Sequence, residues 1–157
     1  MAYTTINKPS EYFETTTYTG TGSSLSISSL DFSPDWVWIK RREAIDNHAL
    51  FDSIRGATKI LQSNVTNAEA TVAQSVTSFD SNGFTVGTDG QVNTNTEGHV
   101  AWSWRGSDSS PATNNDGTIT SQVSANTTSG FSIVSYTGNQ TSSQRSWIRC
   151  YSSYGYN

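Results

Sequence analysis

Two tryptophan-bearing segments limit most strongly what this chain can fold into. In the first, Trp36-Val37-Trp38-Ile39, tryptophan alternates with aliphatic residues. Successive side chains of a β-strand point to opposite faces, so both faces of this strand would be apolar. A strand that is apolar on both faces must be covered on both, and we predict that it lies in the middle of a sheet.

The second segment, His99–Arg105, alternates between large apolar residues and small or polar ones. We expect the large residues to face the core: Val100, Trp102 and Trp104. The residues between them are expected to face solvent: Ala101, Ser103 and Arg105. This strand would then cover the core with one face only.

Composition excludes the main alternatives to β structure. Ser, Thr, Asn and Gly make up 72 of the 157 residues. These residue types weaken helices or compete with them, which argues against a helical bundle. Five Trp, six Phe and seven Tyr make the chain too aromatic for a disordered one. Because the length suits one domain of about 100–200 residues, we predict a single all-β domain.

Short β-type runs separated by Gly, Asn and Asp recur along the chain, a pattern typical of an antiparallel β-sandwich. The predicted strands are Tyr12–Thr19, Leu25–Leu30, Trp36–Arg41, Ala49–Phe51, Lys59–Gln62, Val76–Phe79, Phe84–Val86, Val100–Arg105, Ile119–Val123, Phe131–Tyr136 and Trp147–Tyr151. The sequence Asp80-Ser81-Asn82-Gly83 predicts a tight hairpin, because Asn-Gly favours a turn whose two central residues have positive φ.

A repeated frame, Phe-x4-Tyr-Thr-Gly, begins at Phe13 and again at Phe131. It divides the chain into a β-sandwich core module at 1–106, a Ser/Asn/Gly-rich linker at 107–117 and a partial second repeat at 118–157. The strand of the second copy is a candidate for assembly, through Phe131, Ile133, Val134 and Tyr136. It would either fold back on its own sandwich as an edge strand or pair with the corresponding edge of a neighbouring subunit.

The sequence carries no pattern for catalysis, a cofactor or a metal. We expect His48 and His99, the only histidines, to have structural roles. One cysteine and two distant histidines give no zinc spacing, and phosphate-binding glycine patterns are absent. No motif supports polysaccharide depolymerase activity. Such chemistry depends on the distance between two carboxyl groups in the folded chain, which the sequence does not give. We therefore expect a protein that is not an enzyme.

Charge and hydropathy exclude two classes of partner. A net charge of -4 and a pI near 4.9 leave no basic face for nucleic acid. The longest apolar run has four residues, far short of the ~20 that span a bilayer, so no membrane insertion is expected. Residues 1–9 have neither a charged stretch followed by an apolar run nor a cleavage site, so no signal peptide is expected. Cys150 is the single cysteine, so stability must come from packing or from assembly of copies.

Trp104 and Arg105 form the one candidate contact for a glycan. An exposed tryptophan would offer a stacking face, and the guanidinium could contact hydroxyls or a carboxylate. Because Trp104 shares the predicted inward face of Trp102, we expect core packing in preference to ligand binding.

Several segments together resemble repeated β modules of virion structural and tail-fibre-like proteins of aquatic bacteriophages, especially marine and cyanobacterial ones. The segments are Asn7-Lys8-Pro9-Ser10-x-Tyr12-Phe13, Tyr18-Thr19-Gly20, Pro34-Asp35-Trp36-Val37-Trp38-Ile39-Lys40, Phe51-Asp52-Ser53-Ile54-Arg55-Gly56-Ala57-Thr58-Lys59, Ser78-Phe79-Asp80-Ser81-x-Gly83-Phe84-Thr85-Val86-Gly87 and Val100-Ala101-Trp102-x-Trp104. The resemblance implies a lectin-like sandwich of the concanavalin or SPRY type, jelly-roll in kind, used for display and attachment and without catalytic residues.

The function expected from this resemblance is that of a phage virion structural protein. It would act as a surface, decoration, tail or fibre component in particle assembly and display, with copies of itself and other virion proteins as partners. It would be made in the host cytoplasm and located in the virion. Because the second module starts and does not finish, we expect a small component present in many copies. The alternative is a lectin-like, carbohydrate-binding module that attaches to host surface glycans.

Overall fold

The structure is a computed structural model that describes residues 6–140, and nearly all its regular elements are strands. The strands are β1 (Phe13–Thr19), β2 (Leu25–Ile27), β3 (Trp36–Arg41), β4 (Ala49–Asp52), β5 (Lys59–Gln62), β6 (Ala70–Thr71), β7 (Val76–Asp80), β8 (Gly83–Val86), β9 (Gly98–Trp104), β10 (Ala112–Asn114), β11 (Ser121–Asn126) and β12 (Phe131–Tyr136). A 3-10 turn spans Pro9–Glu11, and the short helix α1 spans Gly90–Asn93.

Two antiparallel sheets enclose the core of the described chain. The larger has the strand order β1-β9-β3-β4-β5-β6, and the smaller has the order β2-β8-β7. Apolar side chains from both sheets and from α1 meet in one cluster: Ile27, Val37, Ile39, Ala49, Phe51, Ile60, Val76, Phe84, Val86, Val92 and Ala101. The prediction of an all-β antiparallel sandwich is confirmed.

Strand β3 occupies the central position that its alternation predicts. It lies between β9 and β4 in the larger sheet. Val37 and Ile39 are fully buried on the core face, while Trp36 and Trp38 are half-buried on the other. Both faces of the strand are therefore covered, although to different extents.

The prediction for the faces of β9 is wrong. Ala101 and Ser103 are the fully buried residues, and Val100, Trp102 and Trp104 lie on the opposite face. The register explains the inversion. Ala101 lies opposite Ile39 and Ser103 opposite Val37, so small side chains leave room in the core for the large aliphatic ones. The tryptophans of β9 consequently join those of β3 outside the core.

The β7–β8 hairpin forms where the sequence predicts it, but its turn differs. Asp80 pairs with Gly83, which leaves Ser81 and Asn82 as the two turn residues. In the described chain, the non-glycine residues with positive φ are Thr96 and Gln140, so Asn82 does not adopt the expected conformation. Gly83 is required for another reason: a Cβ there would collide with the backbone of Ile27 in β2.

A third sheet of order β10-β11-β12 lies outside the sandwich. Strand β10 falls inside the segment predicted as a linker, and β6 and α1 were also not predicted. Backbone and side-chain hydrogen bonds anchor this sheet where β9 ends: the Ser107 amide donates to Ser124 Oγ at 2.9 Å, and Asn126 Nδ2 donates to the Gly106 carbonyl at 3.0 Å. The remaining predicted strand, Trp147–Tyr151, lies outside the described residues.

His99 in β9 is a fully buried titratable group in the core. Its ring stacks on Tyr18 with centroids 5.1 Å apart, and Nδ1 lies 3.1 Å from the Glu97 carbonyl oxygen. Nε2 has no hydrogen-bond partner, so a proton there would be buried and unpaired. Burial lowers the pKa of His99 below its ordinary value of 6.5, and Arg41 acts in the same direction against Glu43 and Glu97.

This histidine is expected to make the fold less stable below about pH 6.5. There the imidazole of His99 is protonated in the unfolded chain but stays neutral in the folded protein. Its contribution is fully present above that pH and is lost by up to ~1.4 kcal/mol per pH unit as the pH falls toward the depressed folded pKa. Urea unfolding at pH 7.5 and 5.5 measures the loss. In a His99→Phe control the loss should be smaller, and an identical pH dependence would contradict the account.

Candidate functional site

The face of the larger sheet that points away from the core, here called the outer face, carries Phe13 and the four tryptophans of β3 and β9. Across β1, β9 and β3, Phe13 lies opposite Trp104 and Trp104 opposite Trp36. In the next row Trp102 lies opposite Trp38, which is followed by Leu50 on β4 and Leu61 on β5. The sequence folds this way because β3 and β9 each carry tryptophans at alternate positions, and the antiparallel register brings those positions side by side.

Trp38 and Trp102 form the centre of the outer face. Their rings meet edge to face with centroids 5.7 Å apart. Trp38 Nε1 donates to His48 Nδ1 at 2.8 Å, so the indole N–H is satisfied and neutral His48 carries its proton on Nε2. The pair is half-buried, and its ring surfaces are only partly covered by the described chain.

Trp104 is the point where the two copies of the repeated frame meet. Its ring lies 4.8 Å from the ring of Phe13 and stacks on Phe131 at 6.0 Å with an interplanar angle of 20°. Phe13 and Phe131 are the first residues of the two copies. Trp104 therefore joins the third sheet, through Phe131, to the outer face. The same residue contacts Phe13 of β1.

A groove of about 460 Å³, here called the β12 groove, runs between the third sheet and the outer face. One wall is formed by β12 along its whole length, and the other by Trp36, Asp52, Arg55 and Leu61. Because β12 is an edge strand of its sheet, the groove follows a row of backbone groups that have no strand partner within residues 6–140.

An ion pair fixes the charged side of the β12 groove. The Asp52 carboxylate is buried and accepts hydrogen bonds from the Arg55 backbone amide at 2.9 Å and from Arg55 Nε at 2.5 Å. Arg55 also pairs with the exposed Glu69 at 3.0 Å. Because each charge has a partner, the pair shapes the wall of the groove without leaving a buried charge uncompensated.

The two residues proposed as a glycan contact have different surroundings in the structure. Trp104 lines a second groove of about 510 Å³, together with Phe13, Phe131 and residues near the start of the chain. Arg105 lies beyond the end of β9, where its guanidinium stands 5.7 Å from the centre of the Tyr12 ring and pairs with Asp108 at 2.6 Å. Its donors are thus engaged within the chain.

The four residues of the candidate assembly strand divide between the two faces of β12. Ile133 is buried and Phe131 stacks on Trp104, so these two hold the strand to its own sandwich. Val134 and Tyr136 alternate with them and point to the other face. Tyr136 is 61% exposed. The strand pairs with β11 of its own chain along one edge.

The sequence model of a protein family described as a domain of unknown function, DUF7483, matches residues 8–147. The chain belongs to this family. The DUF7483 match runs without interruption through the segment predicted as a linker and continues past β12. The chain has no significant match among curated proteins or among solved structures.

The described part of the DUF7483 domain lacks both a metal-binding cluster and a membrane-spanning helix. Among residues 6–140, no three His, Cys, Asp or Glu side chains are grouped so that they could hold a metal ion. Over the same range, no helix combines the length and the apolar character needed to cross a membrane.

The stacking of Trp104 on Phe131 should appear as a measurable energetic coupling. Alanine substitutions at these positions, alone and together, are expected to give a coupling of about 0.5–1.5 kcal/mol in a double-mutant cycle of unfolding free energies. The pair Phe131 and Phe84, whose rings do not contact each other, serves as the control and should be additive. A coupling of zero for Trp104 and Phe131 would mean that the third sheet is not held by this contact.

Proposed function

We propose that this DUF7483 chain is a non-catalytic structural module of a bacteriophage particle that acts in assembly and display on the capsid, tail or fibre. The observation that carries the proposal is the contact of both repeat phenylalanines, Phe13 and Phe131, with Trp104. The last described strand, β12, repeats the sequence frame of the first strand, β1, and both pack on Trp104. The same contact could attach a further module to this one. The resemblance to repeated virion modules supports the same function.

Copies of the chain and other virion proteins are the partners under this proposal. Val134 and Tyr136 point away from the sandwich and are the residues of β12 available to a neighbouring subunit. Exposed aromatic residues are enriched in protein interfaces. We expect Tyr136→Lys to weaken self-association in sedimentation velocity, whereas Thr77→Lys, an exposed change on β7, should not. Equal association of both variants would exclude this surface from assembly.

The location of the chain tests the function directly. Purified particles are examined by quantitative mass spectrometry and by antibody labelling in electron microscopy. The proposal expects the chain in the particle, in many copies and accessible to antibody. A chain that is abundant in infected cells and absent from washed particles would refute the proposal.

A carbohydrate-binding role on host surfaces is the second candidate. It is favoured by the half-buried state of Trp36, Trp38, Trp102 and Trp104, because rings left partly open can stack on sugars. Glycan-array binding should then be lost in Trp102→Ala and kept in Thr77→Ala, with both variants folded. Absence of binding to any glycan by the folded wild type, or retention in Trp102→Ala, would count against this role for the outer face. Incubation with host capsule and assay of reducing ends tests depolymerase activity separately.

A further inference from the structure

The β12 groove has the geometry of a site for one extended chain segment. One of its walls follows all six residues of β12, whose second edge has no strand partner in the described chain. Such an edge presents N–H and C=O groups that an incoming strand can pair with. The opposite wall adds the apolar surfaces of Trp36 and Leu61. An occupant would therefore gain backbone hydrogen bonds on one side and side-chain contacts on the other.

We propose that the occupant is the chain's own segment Trp147–Tyr151, which lies outside the described residues and would add a fourth strand to the third sheet, antiparallel to β12. The segment has the alternation of a strand. Ile148 and Cys150 fall on one face, and Trp147, Arg149 and Tyr151 fall on the other. In the groove, the face with Ile148 and Cys150 matches the apolar wall of Trp36 and Leu61.

The length of the connection favours the same chain over a second copy. Ten residues, 137–146, separate β12 from the segment. Fully extended they span up to ~33–36 Å, against ~20 Å for a six-residue strand, so the chain can turn back along β12. A short connection of this kind keeps the segment near the groove, at an effective concentration on the order of millimolar.

The shape of the groove adds a second argument against a neighbouring module. Its two walls, β12 and part of the outer face, belong to the same chain. A single segment can lie between them, whereas a strand already embedded in another sheet would bring its own neighbours. This inference does not rest on the proposed function, because it concerns how one chain closes its own sheet edge.

The single native cysteine allows a direct test in the full-length protein. Leu61 is 36% exposed, so Leu61→Cys places a thiol on the groove wall at small cost to folding, which circular dichroism verifies. Treatment with a short bis-maleimide is expected to link positions 61 and 150 within one chain, as mapped by mass spectrometry. The yield should not change on about a hundredfold dilution, because the reaction is intramolecular. Thr77→Cys, exposed on β7 in the opposite layer, is the control and should give no such link.

Two results would overturn the proposal. A 61–150 link found only between chains, with a yield that falls on dilution, would assign the groove to the segment of a second copy. A yield no higher than that of the Thr77→Cys control would show that the segment does not bind there. The reaction rate of Cys150 with maleimide is an independent readout. In the unsubstituted, folded chain this rate should be lower than in urea, and Leu61→Lys should raise it. Unchanged rates would also contradict the proposal. Neither readout depends on the presence of the chain in particles, so the proposed function can fail independently.

Discussion

Replacing Phe84 by alanine is expected to lower the free energy of unfolding by about 3–5 kcal/mol. Phe84 lies in β8, the middle strand of the smaller sheet, and is fully buried. Its ring meets that of Tyr18 in the larger sheet with centroids 6.3 Å apart and an interplanar angle of 73°. Removing it leaves a cavity between the two layers in addition to the lost burial. Urea denaturation followed by circular dichroism measures the change.

The same chemical change on the outer face provides the matched control. Phe13→Ala removes a ring that is 40% exposed, so the loss of burial should cost less than about 2 kcal/mol. A cost as large as that of Phe84→Ala would mean that the core does not lie between the sheets as described.

Substituting Gly83 by alanine is expected to destabilise the fold by at least about 3 kcal/mol, because the added methyl meets backbone atoms and not a flexible side chain. A Cβ at this position would collide with the Ile27 carbonyl oxygen, and it would lie 3.2 Å from Ser28 Cα. Relief requires β2 and β8 to separate, although Ile27 and Phe84 are paired in register there. Chemical denaturation gives the magnitude.

Gly130 separates this steric effect from that of backbone conformation. It has φ of +73°, and a Cβ there would find no atom within 4 Å. Gly130→Ala should therefore cost only the ~1–2 kcal/mol of a left-handed alanine. If the two substitutions cost the same, the close approach of β8 to β2 is not what requires glycine at position 83.

Alternation within single strands was enough to predict most of the fold. The ten predicted strands that fall within residues 6–140 each coincide with or overlap an observed strand, and β3 lies in the centre as its doubly apolar pattern requires. Strands β6 and β10 were not predicted. Both are very short and polar, and they exist because β5 and β11 supply their pairing partners, a dependence that no local pattern records.

The orientation of β9 could not be derived from its own residues. A period of two shows that the faces of a strand differ and leaves open which of them is the core. The choice depends on the neighbours. Val37 and Ile39 fill the core beside β9, so Ser103 and Ala101 fit opposite them, and Trp102 and Trp104 pair with the tryptophans of β3. Side-chain size alone therefore predicted the wrong face of β9 as the core face.

The candidate site was predictable in its parts and not in its assembly. The sequence singled out Trp104 and the strand that begins at Phe131, but it gave no sign that the two stack. Asp52, Arg55 and Leu61 were missed as groove residues, because contacts across about seventy positions of the chain place them beside β12. The repeated frame was the one available signal, since Phe13 and Phe131 occupy the same place in it.

The central structural claim is that the four tryptophans of β3 and β9 lie outside the core, on the face where the third sheet is joined. Hydroxyl-radical footprinting of the intact, folded chain measures this most directly, residue by residue. We predict oxidation of Trp38 and Trp102 in the native protein, with Phe51 and Phe84 protected until the chain is unfolded. Protection of both tryptophans together with oxidation of Phe51 or Phe84 would contradict the account.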